Sequence, residues 1–125
     1  MSAQREAKAD GVPPEIAPYI RALGPDRTGD LITALGGSML YFARKASSRS
    51  TAAAIVGADG VQALSREFGT GMFRVPIARA WLVCHLFGRG VSVQEIARRL
   101  HMTDVTVRKY LKRRKAGGQL DLFDD

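Results

Sequence analysis

The sequence predicts a mainly α protein with a small β ribbon, in which a duplicated helix–strand platform is followed by a helix-turn-helix module. Three observations predict it. The stretch 92–115, SVQEIARRLHMTDVTVRKYLKRRK, reads as two short helices joined by a tight turn. Residues 23–42, LGPDRTGDLITALGGSMLYF, align without gaps to residues 56–75, VGADGVQALSREFGTGMFRV. The charge is segregated: residues 76–118 carry ten Lys/Arg against two Asp/Glu, a net of +8, whereas residues 1–75 sum to +2 and residues 119–125 to −3.

In chain order, residues 1–12 are expected to be a flexible arm and residues 13–76 the platform, a dimerisation-like domain. Pro13-Pro14 open a short helix over Glu15–Leu23, which Gly24-Pro25 ends. Asp26 is expected to cap a helix to Leu35, stopped by Gly36-Gly37. Ser38–Ala43 reads as a strand, and residues 44–50 (RKASSRS) as a basic polar loop in which Arg44, Lys45 and Arg49 can meet phosphate or solvent. Thr51–Val56 gives a helical turn or two. Asp59 is expected to cap a helix through Phe68, stopped by Gly69, and Gly71–Pro76 is a second short strand. A helix over Ile77–Phe87 follows, ended by Gly88 and Gly90.

The two aligned segments share Gly24/Gly57, Asp26/Asp59, Leu31/Leu64, Gly36/Gly69 and Met39/Met72 at an offset of 33 residues. Two copies are too few for a solenoid. The expectation is that the two strands pair and their helices pack on one face. Leu31, Leu35, Leu40 and Phe42 would then meet Leu64, Phe68, Phe73 and Val75.

The helix-turn-helix domain is placed at residues 77–116. Ser92 and Glu95 form an S-x-x-E capping box, so a helix starts at Val93. Ile96, Ala97 and Leu100 supply its inner face. His101 occupies the turn position that needs a left-handed backbone, where His is among the more tolerated non-Gly residues. Thr103 is the N-cap of the next helix, and Val107, Tyr110 and Leu111 point inward. That leaves Val105, Arg108, Lys109, Lys112 and Arg113 on the opposite side. Such an element, second helix in the major groove, is how many proteins read double-stranded DNA. Thr103, Val105 and Thr106 are expected at the groove floor, and Arg108, Lys109, Lys112 and Arg113 at phosphates or base edges.

Residues 56–112 resemble the Mor/C family of phage transcription activators. The carriers are VGADGVQALSREFGTGMFRVP, a glycine-led helix followed by FG-x-G and a short strand ending in Pro, and the helix-turn-helix at 92–113. The resemblance implies a dimerisation domain in the helix–strand segment, DNA binding by the C-terminal module, and activation through RNA polymerase. This chain departs from the family in carrying the additional unit at 23–42. That unit can imitate within one chain the contact that two chains make in the family, so monomer and homodimer both stay open.

Residues 117–125 are expected to be a flexible tail, and they hold a second motif. Gln119, Leu120, Asp121, Leu122 and Phe123, QLDLF, resemble the peptide by which bacterial proteins bind the DNA polymerase III sliding clamp. In such peptides the Gln makes polar contacts and the Leu/Phe pair enters a hydrophobic pocket. The competing reading is that Leu122 and Phe123 fold back onto the protein's own core.

Other chemistry finds little support. A single cysteine, Cys84, excludes an intrachain disulfide and reads as a buried thiol. With His85 and His101 it makes no zinc set. There is no phosphate loop, nucleophile–base pair or carboxylate cluster, so the chain is expected to be neither an enzyme nor a cofactor binder. Trp81, Leu82 and Leu86 read as core. The charged N-terminus MSAQREAKADG is unlike a signal peptide, and no apolar run approaches the ~20 residues that span a bilayer. The expected protein is cytoplasmic, nucleoid-associated and free of membrane contact. Two functions remain: a Mor-like transcription regulator of phage or mobile-element origin, and a replication or recombination accessory factor recruited to forks by the clamp.

Overall fold

The structure, a computed structural model, describes residues 12–42 and 50–117, with side chains through Arg114. The expected arm through residue 11, the basic side chains Arg44, Lys45 and Arg49, and the QLDLF peptide lie outside the described residues. The described chain is mainly helical with one small sheet. Its elements run α1 (Ala17–Leu23), α2 (Pro25–Leu35), β1 (Met39–Phe42), α3 (Thr51–Phe68), β2 (Gly71–Arg74), α4 (Arg79–Gly88), α5 (Val93–Leu100) and α6 (Asp104–Gly117). They fall into two compact units: residues 14–78, holding α1 through β2, and the unit of α4 to α6 from residue 79.

In the first unit, β1 and β2 pair antiparallel, Met39 opposite Arg74, Leu40 opposite Phe73, Tyr41 opposite Met72 and Phe42 opposite Gly71. Adding 33 to each residue of the first repeat maps this ladder onto itself. Met39–Arg74 becomes Met72–Tyr41, and Leu40–Phe73 maps to itself, so the ribbon has a local two-fold axis through Leu40 and Phe73. The pattern continues beyond the strand ends, where the Gly37 N–H donates to the Val75 carbonyl (2.7 Å) and the Val75 N–H to the Ser38 carbonyl (2.8 Å).

The helices repeat in the same way. Gly24 joins α1 to α2 with φ 84° and ψ 164°; its counterpart Gly57 kinks α3 with φ 82° and ψ 160°. This backbone region is essentially reserved for glycine. The first half of α3 is therefore the counterpart of α1. The duplication spans helix, glycine, helix and strand, one helix more than the sequence alignment covers.

Sequence expectations shift by a few residues for local reasons. Helix α1 begins at Ala17 rather than Glu15, after a turn and with Pro18 in its first positions. Asp26 is not an N-cap: Gly24 occupies that position and makes no side-chain cap bond, so Asp26 sits in the first turn, where a carboxylate favours the helix dipole. The kink at Gly57 puts Asp59 in the same place. Strands β1 and β2 are shorter than the predicted runs. Helix α4 begins at Arg79, because Ala78 has φ 44° and cannot belong to a right-handed helix.

The ribbon's inner face meets α1 and α3 in an aromatic cluster. Phe68 lies 4.7 Å from Tyr19, 5.5 Å from Phe42 and 5.4 Å from Phe73 between ring centroids, and Phe42 stacks on Phe73 at 5.1 Å. Leu31, Phe42, Leu64 and Val75 are fully buried, as the repeat predicts. A side chain of this class gains about 1.5–3 kcal/mol on full burial. The predicted core positions Leu35, Leu40, Phe68 and Phe73 are half-buried. Arg27 of α2 crosses to the second repeat, donating to the Val56 carbonyl (2.9 Å) and pairing with Asp59 (3.3 Å). A side chain at Gly60, the counterpart of Arg27, would stand 3.0 Å from that guanidinium. Glycine at one copy thus makes room for arginine at the other.

Candidate nucleic-acid interface

The site is built in the second unit. Ser92, in extended conformation, accepts from the Glu95 N–H (3.1 Å) and starts α5. The Glu95 carboxylate turns along the helix, where it accepts from both Arg98 and Arg99, the latter at 2.9 Å. These two guanidinium groups hold its carboxyl below the usual range. His101 ends α5 in the left-handed conformation, φ 55° and ψ 50°. The Met102 N–H reaches back to the Ala97 carbonyl at 3.0 Å, the closure of a Schellman turn. Thr103 caps α6 by accepting from the Thr106 N–H (3.1 Å), and the two hydroxyls bond each other at 2.9 Å. Ile96 and Val107 are fully buried, and Ala97 and Leu100 nearly so; these side chains seal α5 against α6.

On the outer face of α6, Val105, Arg108, Lys109 and Lys112 are exposed together. Two predicted contact residues are more constrained than the sequence suggested. Arg108 is paired with Asp104 one turn earlier at 2.6 Å, which lowers the Asp104 carboxyl below its ordinary value. Arg113 is half-buried, its guanidinium 5.7 Å from the Tyr110 ring centroid, at the outer limit of a cation–π contact. Thr106 is half-buried, while Thr103 is exposed with its hydroxyl committed to the cap. Lys109 and Lys112 are therefore the most open cations of the predicted set, and Val105 is the exposed apolar side chain beside them.

Sequence reasoning passed over Arg98 and Arg99 on α5. The signal was present: they stand three and four residues after Glu95, the spacing of helical ion pairs. It also placed Cys84 in the core. Instead Cys84 is half-buried in the wall of a groove of about 620 Å³ between α4 and α6, lined by Phe87, Gly88, Leu111, Lys112 and Arg114. Leu82, Val83 and Leu86 form the buried side of α4, and Trp81, half-buried, stacks on His85 at 4.7 Å. Among the described residues no group of three or more His, Cys, Asp or Glu could hold a metal ion, and no helix is long and apolar enough to cross a membrane.

Comparison of the chain with protein-family models, curated proteins and solved structures gives no significant match.

Proposed function

We propose that the chain is a DNA-binding protein whose helix α6 enters the major groove, and that it acts as a Mor-like transcription regulator of phage or mobile-element origin. The observation that carries this reading is the outer face of α6, where Val105, Lys109 and Lys112 project from a helix fixed to α5 by a capped left-handed turn. At 14 residues α6 is about 21 Å long, and the major groove, roughly 12 Å wide, admits such a helix. The first turn of α6 meets base edges, and Lys109 and Lys112 neutralise phosphates along the groove walls. Arg98 and Arg99, which share one carboxylate, add charge that a phosphate can recruit. The resemblance to the Mor/C family supplies RNA polymerase as the partner of a bound regulator. The two-fold symmetric ribbon of a single chain supports a platform that one copy completes, with the homodimer as the alternative.

A second reading rests on QLDLF. Gln119–Phe123 would dock the protein on the sliding clamp and bring its DNA-binding unit to replication forks. A short tether raises the effective concentration of the second contact to the millimolar range. Both readings share the DNA-binding unit and place the protein at the nucleoid. Genome-wide occupancy in replicating and arrested cells separates them. Fixed promoter peaks in both states support the regulator. Signal that travels with forks, and is lost on Leu122→Ala/Phe123→Ala, supports the accessory factor and sinks the regulator.

A further inference from the structure

We propose that Val105 reads the 5-methyl group of a thymine, making the DNA site of this protein methyl-dependent at one position. The inference rests on the DNA-binding reading above and goes beyond it to what is read. Val105 is 68% exposed, more than Met39, Tyr41, Met72, Ile77 or Phe87, the other large apolar side chains that stand open among the described residues. Folding gives no reason for it. A β-branched residue is a weak helix former, and at an exposed position it gains nothing from packing. The neighbouring Thr103 and Thr106 hydroxyls are bonded to each other, and Thr103 also holds the Thr106 N–H. The cap therefore has its own residues and does not use Val105.

The position of Val105 indicates its partner. Lys109 and Lys112 follow at four and seven residues, so apolar tip and cations share one stripe along the helix. In a major groove that stripe places the cations toward phosphates and the valine toward the floor. Valine can neither donate nor accept a hydrogen bond. Of the features that base pairs present there, the thymine methyl is the one it can distinguish. Covering a methyl group is worth roughly fourfold in affinity, so a three- to tenfold preference is expected.

The test uses the full chain. Binding sites are selected from a random duplex pool, and affinity is measured by fluorescence anisotropy at fixed salt. Each thymine of the selected site is then replaced in turn by deoxyuridine, which removes only the methyl. The wild type should lose three- to tenfold at one position. Val105→Ala, which circular dichroism should show to be folded because the side chain is exposed, should bind the thymine duplex weakly by the same factor and be indifferent to deoxyuridine there. A wild type indifferent to deoxyuridine at every thymine overturns the proposal, as does a Val105→Ala variant that keeps the wild-type sensitivity. Salt-dependent DNA binding in those cases leaves the DNA-binding reading standing, whereas no duplex binding at any salt removes that reading and this inference together.

Discussion

Thr28 is fully buried in α2, and its hydroxyl has no hydrogen-bond partner among the described residues. Thr33, on the same helix, returns its hydroxyl to the Gly29 carbonyl at 2.7 Å. The counterpart of Thr28 in the second repeat is Val61, also buried. An unpaired buried hydroxyl costs about 1–3 kcal/mol. Thr28→Val should therefore stabilise the protein by about 1 kcal/mol, read as a rise of several degrees in thermal unfolding; a fall in Tm would show that the hydroxyl is satisfied. The opposite case stands in the second unit. Glu95 and Asp104 have carboxyl groups held below their usual range by Arg98 with Arg99 and by Arg108. A carboxyl depressed on folding stabilises the fold above its unfolded pKa and loses that contribution as pH falls through the folded value. Helicity followed by circular dichroism should thus decline on acidification below the ordinary carboxylate range. Glu95→Gln should be less stable than the wild type at neutral pH and lose less on acidification. Equal acid sensitivity of the two would show that the pair contributes nothing.

At the scale of elements, the repeat is the organising fact. Gly24 and Gly57 hold the same glycine-only backbone at the same place in two copies. A residue with Cβ there is strained by about 1–3 kcal/mol. The surroundings differ, since a Cβ at Gly24 meets nothing within 4 Å and one at Gly57 falls 2.7 Å from the Asp59 carboxylate. Gly57→Ala should therefore be the more destabilising of the two, by urea denaturation, and Gly24→Ala should cost the backbone strain alone. Equal effects would mean that Asp59 moves aside freely. The identical pairs Gly24/Gly57, Leu31/Leu64 and Gly36/Gly69 made the repeat legible, and the strand pairing followed from it. The extension to α1 was not legible, because Tyr19 and Ala52 fill equivalent buried positions with unlike side chains. The two helices and the turn between them were legible because Ser92 and Thr103 belong to the residue types that cap helices, and His101 to the few non-Gly types tolerated in a left-handed turn. The pairing of Arg108 with Asp104 was not read, although its i,i+4 spacing stands in the sequence.

Across the whole molecule, charge and shape divide between the two units. The platform is close to electrically balanced, and two of its described cations pair with acids of the same unit, Arg21 with Glu67 and Arg27 with Asp59. The second unit carries the excess, and residues 76–118 hold ten Lys/Arg against two Asp/Glu. Both of those acids are paired within their own helices, Glu95 in α5 and Asp104 in α6. Asp104 reduces the positive field at the first turn of α6, and Lys109 and Lys112 stand exposed further along that helix. Such a distribution favours a polyanion, and binding of a polyanion releases counterions.

The salt dependence of duplex binding measures that release directly. With the wild-type chain, the logarithm of the association constant should fall linearly with the logarithm of salt concentration. Each phosphate contact contributes about 0.9 to the slope. Lys109→Ala/Lys112→Ala should reduce the slope by about two units and weaken binding across all sequences. A double variant with unchanged affinity and unchanged slope would contradict the assignment of α6 as the DNA-binding face.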